Sequence, residues 1–397
     1  CKQGVETLAE LERWGLALRR REGGLPHASA APGHKTPRLT GCGDSTVREV
    51  TRVLEEQAIK RGIQRNADSI PLNIVSDNSQ IRGVVTLDVP TGRIDAIQTK
   101  AVILATEGHQ GLWSKPSDGP GTGSALAISA GIDLKGMEIT SRHPLTIRDC
   151  GIHIPLDVLG SGGRIRRENG DDVGPEEALE GETCVLDLRQ MDADAKVWFS
   201  QTSMRIMDRL GIDISKDVIP LSPGVAYTTG GAPSDAQGRV VFQGHTTEGL
   251  PAELWHTGLY AAGRSAHTGM HGSNALPGNL LLDDLVSGKA AGEHASEWAT
   301  EIKFGGDTQI EEAVKEESAR ISSIMGGDGM EVAKFHSKLT SAISSGSSDD
   351  ASLAEVRAIK DTGISLTDTS SVMNTEMVEA LRLVGLASIA EAILTSG

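Results

Sequence analysis

Aromatic side chains are scarce: phenylalanine, tryptophan and tyrosine together make up 3% of the 397 residues. Stacking platforms for bases are therefore few. The chain also lacks basic charge, with 38 Lys and Arg against 54 Asp and Glu for a net charge of −16, which would repel a phosphate backbone. Nucleic-acid binding is excluded on both counts. The four cysteines, Cys1, Cys42, Cys150 and Cys184, lie far apart and form no CxxC pair. That excludes a zinc ribbon and a dense disulfide scaffold, and points to a reducing compartment. No apolar run reaches the roughly 18 residues of a membrane span, and no signal peptide is visible, although the chain opens on Cys1 rather than Met. No GxSxG elbow or spaced Ser-His-Asp set occurs.

A complete GxGxxG is missing as well. GCGDST at 41–46 lacks the third glycine and reads as a turn before a capped helix, while GPGTGS at 119–124 and GSGGRI at 160–165 fail the spacing. His267 and His271 are four apart, the spacing of a helical metal pair, but Gly269 and Gly272 argue against a helix there and no metal is expected.

What is present is a pattern of short buried strands and helices. A first helix is expected over the segment carrying Leu8, Leu11, Leu16 and Leu18, and a second through Val47, Val50, Val53 and Leu54, with Asp44 or Ser45 as its cap. Residues 71–99 alternate in β-like runs with PTGR at 90–93 as a hairpin turn. AVILAT at 101–106 reads as a strand buried on both faces of a parallel sheet, followed by a helix at 124–131. Between 138 and 225 the texture is irregular, with GSGGRIRRENGDD as a polar loop, CVLDLRQM as a strand and 196–211 as a helix ended by Gly211. VAYTTGGAPSDAQGRVV at 225–241 suggests a hairpin, and GLYAAG at 258–263 a second apolar strand ending in glycine. A strong helix follows at 280–299, and helices continue to the end, broken by a Ser/Asp linker at 344–351. Two buried strands that end in glycine and lead into helices predict an α/β sheet with a ligand site at the strand ends. The glycine-rich stretch GLYAAGRSAHTGMHGSNALPGNLLLDDLVSGKAAG at 258–292 reads either as a turn-rich surface loop or as main chain shaped to approach a ligand closely.

Taken together, these segments resemble the succinate dehydrogenase/fumarate reductase flavoprotein subunit family, which also includes L-aspartate oxidase. GHKTPR is similar to the family's Gly-His-Ser-x-Pro-Arg approach, AVILATEGHQ to its "AVILATGGAG" strand and SRHPLTI to its "QFHPTGI". GVAYTTGGAPSDAQGRVV resembles "TAHYTMGGIPTDxxGRVV", and DTSSVMNTEMVEAL resembles a segment of its helical domain. The resemblance is collinear from residue 1 to about 395. It implies an α/β, Rossmann-like FAD-binding domain, incomplete at the N-terminus, built from residues 1–139 and 226–299. An α+β capping domain is inserted at 140–225, and a helical domain follows at 300–397. The implied cofactor is FAD, held by Thr106, Glu107 and Gly108 at one strand end, by Gly263 and Arg264 at the other, and by the turn Gly278, Asn279, Leu280 and Leu281. The family's GxGxxG segment and its closing arginine-rich segment have no counterpart here, so the sequence is expected to be cut at both ends.

The implied activity is hydride transfer between the flavin and a small dicarboxylate-like substrate, with an iron–sulfur subunit as possible partner. The implied location is the cytoplasm or the cytoplasmic face of a membrane. The catalytic pattern departs from the family's. Its "HPTG" histidine corresponds to His143, the expected catalytic residue, which in isolation reads more readily as a hydrogen-bonded structural histidine than as a catalyst. The other substrate groups fall on Ala226, Ala275, Leu156 and Leu159, and the segment carrying the arginine proton shuttle is deleted between Asp172 and Val185. Arg264 stands where the family has the glutamate that meets the flavin nucleotide's ribose. A second expectation therefore stands beside the first: a catalytically degenerate homologue that holds FAD or serves as a structural subunit.

Overall fold

The computed structural model describes residues 2–148, 150–180, 183–344 and 350–395. It divides into two compact units. One comprises Cys1–Arg65, Ser141–Ala226 and Asn274–Asp283, the other Asn66–Thr140, Tyr227–Ser273 and Asp284–Gly397.

The second unit is built on a six-stranded sheet of β1 (Ser69–Asp77), β2 (Gln80–Asp88), β3 (Arg93–Gln98), β4 (Val102–Leu104), β5 (Arg239–His245) and β6 (Pro251–Ala261). Alternating apolar residues make β2 buried on one face, and the PTGR turn closes the β2–β3 hairpin with Gly92 at φ 71°. The sheet is largely antiparallel, contrary to the expected parallel sheet. β6 runs antiparallel to β5, and only the pairing of Leu259, Tyr260 and Ala261 with Val102, Ile103 and Leu104 makes a parallel ladder of several residues in it. Nor is β4 covered on both faces: Leu104 is 3% exposed, but Ile103 is 37% exposed. An apolar run of three residues cannot by itself distinguish the two situations. The expected 225–241 hairpin is present as a tight turn, with Ser234 bridged antiparallel to Val240, and beyond it the arms take other partners: Ala232–Pro233 pairs in parallel with Ala266–His267, while β5 pairs with β6.

Helices Thr308–Met325, Val332–Ser344, Asp350–Thr362 and Thr375–Thr395 complete this unit, and the expected 344–351 linker lies mostly outside the described residues. Thr375–Thr395 buries Met377, Ala380, Leu383, Leu386, Ala387, Ile389 and Ala390, a distribution around the whole helix that suits a central position. Its residues join Leu104, Leu126, Leu259, Ala261, Phe335 and Leu339 in one apolar core.

In the first unit, Arg164–Arg167, Asp172–Val173, Cys184–Asp187 and Ile219–Pro220 form a four-stranded sheet. GSGGRIRREN was expected as a loop. Ile165, 2% exposed, is the lone apolar anchor of its strand, too little for an alternation signal. Helix Lys2–Arg13 ends earlier than expected, with Leu16 and Leu18 buried beyond it. The helix expected over 196–211 divides at Phe199 into Ala193–Trp198 and Ser200–Leu210, and Gly211 closes the latter in the left-handed conformation at φ 68°. Leu145, Ile147, Ile154, Leu186, Phe199 and Ile206 form this unit's core.

Candidate functional site

The parallel pairing of β4 and β6 places their C-terminal ends side by side, and each leads into a glycine-containing turn. Ser265, fully buried, ties the two turns together: its Oγ accepts the Thr106 N–H at 2.9 Å and donates to the Thr106 carbonyl at 3.1 Å. Thr106 Oγ1 in turn accepts the Gly123 N–H at 2.9 Å, linking the start of helix Thr122–Ser129 to the same point. Gly108 is required because a Cβ there would run into Thr228 Oγ1. Gly263, at φ 56°, donates its N–H to Ser287 Oγ at 2.9 Å, and a Cβ on it would collide with Asp284 Oδ1. At the rim, Arg264 Nη1 lies 2.6 Å from Glu107 Oε2 and Arg264 Nη2 lies 3.7 Å from Asp284 Oδ2. Thr106, Glu107, Gly108, Gly263 and Arg264 are thus brought together as expected of neighbouring strand ends. Ser265, Asp284 and Ser287 were not anticipated, and no periodicity or motif spacing points to them.

The other expected residues belong to the first unit. Gly278, at φ 80°, precedes helix Asn279–Glu301, whose start as far as Asp283 lies in this unit. The Asn279 N–H bonds to the Leu276 carbonyl and the Leu282 N–H to the Gly278 carbonyl. Among the described residues the intervening amides of Leu280 and Leu281 have no main-chain acceptor, as first-turn geometry dictates. The Pro277 carbonyl, the natural acceptor for Leu281, faces His34 instead: Nε2 lies 3.0 Å from it while Nδ1 accepts from Arg38 Nε at 2.7 Å, which fixes Nε2 as the protonated nitrogen. Leu39 packs where a Cβ on Gly278 would lie.

His143 ends the strand Thr140–His143, extended before Pro144 as expected. The Leu145 N–H donates to its Nδ1 at 3.1 Å, so Nε2 is the protonated nitrogen. Burial, then the neighbouring His153 with ring centroids 5.4 Å apart, lowers its pKa to about 3. His143 is neutral at physiological pH and can donate a hydrogen bond but carries no charge. Four arginines of the same unit have partners of their own. Arg142 donates to the Pro223 carbonyl, Arg148 to the Leu221 carbonyl, Arg164 pairs with Asp172, and Arg166 with Asp172 and Asp187. Leu156 and Leu159 are packed against the unit's apolar core.

The donor set suits a nucleotide-linked flavin. In the second unit, glycine turns let main chain approach closely and an exposed carboxylate can accept from ribityl or ribosyl hydroxyls. Taken by itself, the helix start in the first unit offers the Leu280 and Leu281 amides to an acceptor at the positive end of a helix. No described helix is long and apolar enough to cross a membrane.

Comparison with known proteins agrees. The pattern of the FAD binding domain family matches residues 1–281. The fumarate reductase flavoprotein subunit of Escherichia coli K12 is 26% identical across 98% of this chain and 71% of its own length. The succinate dehydrogenase flavoprotein subunit of Rickettsia bellii is 26% identical across 96% and 72%. The 8-methylmenaquinol:fumarate reductase flavoprotein subunit of Wolinella succinogenes is 27% identical across 82% of the chain and 56% of that protein. In structure, a variant of E. coli quinol fumarate reductase superposes with a TM-score of 0.88 at 23% identity, covering 100% of this chain and 74% of the other, which shows a shared fold. The chain belongs to the FAD binding domain family, as an FAD-dependent oxidoreductase-type flavoprotein of the succinate dehydrogenase/fumarate reductase group.

Proposed function

We propose that this chain is a flavin-holding subunit in which turnover of succinate or fumarate is absent or weak. When bound, FAD supplies the hydride-transfer chemistry; the chain's residues must hold the partner molecule and move its proton. A dicarboxylate requires cations aimed at both carboxylates and a proton donor beside them. One observation carries the reading: Arg142 and Arg148, on either side of His143 in the chain, each donate to a main-chain carbonyl, and Arg164 and Arg166 pair with carboxylates. The positions that would carry charge in relatives are alanine or core leucine here. Leaving a buried carboxylate without one of its charge-assisted hydrogen bonds costs about 2–5 kcal/mol. His143, neutral and donating through Nε2, can orient one carbonyl or carboxylate oxygen but cannot replace the clamp.

By the same resemblance, an iron–sulfur subunit is the expected partner, and residues 140–225 are the expected cap over the cofactor domain. The test has two steps. The absorption spectrum of the chain mixed with FAD should show bound oxidised flavin, and its absence would remove the flavin-holding role. Fumarate-dependent oxidation of a reduced dye should then stay near background. Turnover at a rate typical of enzymes, about 1–1000 per second, would falsify the missing clamp.

A further inference from the structure

We propose that Glu107, locked by Arg264, is the carboxylate that accepts hydrogen bonds from a hydroxyl pair of the cofactor, on its ribityl chain or its adenosine ribose. The inference rests on the flavoprotein reading and adds to it a residue role with a charge arrangement of its own.

Position comes first. In open sheets with parallel strands, ligands settle beyond the carboxyl ends of those strands, and a carboxylate at such an end reads a ribose hydroxyl. Glu107 lies just past the end of β4, beside the end of β6. Its backbone is held from both sides. Thr106 is bonded to Ser265 and Gly123, and the Gly108 carbonyl accepts the Gly121 N–H at 3.0 Å. The side chain nevertheless remains 53% exposed.

Its chemistry comes second. Arg264 Nη1 fixes one oxygen, Oε2, at 2.6 Å, while Oε1 has no hydrogen-bond partner among the described residues. The guanidinium is only 26% exposed and lies between Glu107 and Asp284, so it is held and neutralised rather than presented to an anion. A carboxylate oxygen with no donor on it suits a hydroxyl and disfavours a phosphate. Stability offers a poor alternative explanation, because an exposed ion pair contributes only about 0–1 kcal/mol. Relative to the related pattern, the charges at the two strand ends are redistributed: Glu107 replaces a glycine and Arg264 replaces the glutamate.

The test uses the whole chain titrated with FAD, with riboflavin as the probe of the ribityl group and ADP as the probe of the ribose. Glu107→Ala should raise the Kd for FAD about tenfold or more, the size of one charge-assisted hydrogen bond. Glu107→Gln, which keeps a neutral acceptor, should raise it less. The same loss should appear with riboflavin if the ribityl group is read, and with ADP if the ribose is. Unchanged or tighter FAD binding by Glu107→Ala overturns the assignment. A loss with FAD that neither fragment reproduces attributes the effect to other parts of the cofactor and overturns it as well. If the unaltered chain binds no FAD, the flavoprotein reading fails and this inference fails with it.

Discussion

Asp157 shows how far a single residue's surroundings can shift its chemistry. Burial raises its pKa to about 6 from 3.8, with the Asp44 carboxylate adding to the effect and the hydrogen bond to its own backbone opposing it. A carboxyl whose folded pKa lies above the unfolded value binds its proton more tightly in the native state. Its favourable contribution is therefore present below pH 3.8 and is lost as pH rises through 6. A shift of this size corresponds to at most about 3 kcal/mol. Asp157→Asn should raise stability at pH 7–8 by about 1–3 kcal/mol, and urea denaturation should show its advantage over the unaltered chain growing as pH rises from 4 to 6. His143 acts in the opposite direction over an overlapping range. Its folded pKa of about 3 lies below the usual 6.5, so stability is lost as pH falls through that interval. Neither shift was legible in the sequence, because both depend on what burial places beside the group. His143 itself was legible, since SRHPLT carries the resemblance and its proline enforces extended backbone.

At the scale of elements, Asp44 or Ser45 was expected to cap the helix that follows. The structure assigns that carboxylate elsewhere: Asp44 Oδ2 accepts the Thr202 N–H at 2.7 Å, in the first turn of helix Ser200–Leu210. The nearer helix, Thr46–Lys60, receives no side-chain cap from Ser45, and its first residue's Oγ1 donates to the Gly43 carbonyl at 2.7 Å. Spacing along the chain reveals a residue able to cap but not which helix start it will meet. Asp44→Ala should cost about 1 kcal/mol. Hydrogen exchange should quicken at residues 200–204 while residues 46–50 stay protected, and the reverse pattern would restore the local cap. Long amphipathic helices were legible because many residues repeat the signal, as in Thr308–Met325 with Ile310, Ala313, Glu317 and Ile321 buried along one stripe. Short strands were not. Arg164–Arg167 has one buried apolar residue, and the division of 225–241 between two pairing partners depends on strands distant in sequence.

For the whole molecule, the proposed loss of the dicarboxylate clamp raises the question whether returning a few side chains would restore it. The four positions differ in what surrounds them. Ala226 lies in a short half-buried strand and Ala275 in the turn before helix Asn279–Glu301, where a longer polar side chain can reach solvent. Leu156 and Leu159 pack against the apolar core that includes Ile154, Val158 and Leu188. Placing glutamate and arginine there removes apolar packing at two half-buried positions and sets charges against that core, a cost of about 2–5 kcal/mol. Much of a typical domain's stability of about 5–15 kcal/mol would be consumed by the two changes together. The double variant Ala226→His with Ala275→Arg should therefore fold and bind FAD like the unaltered chain, yet gain no measurable fumarate reduction. Adding Leu156→Glu and Leu159→Arg should lower the unfolding midpoint sharply before any activity emerges. A four-site variant that kept its midpoint and reduced fumarate would mean that the leucine positions line a site rather than support a core, and that the apolar packing around them can be exchanged for charge.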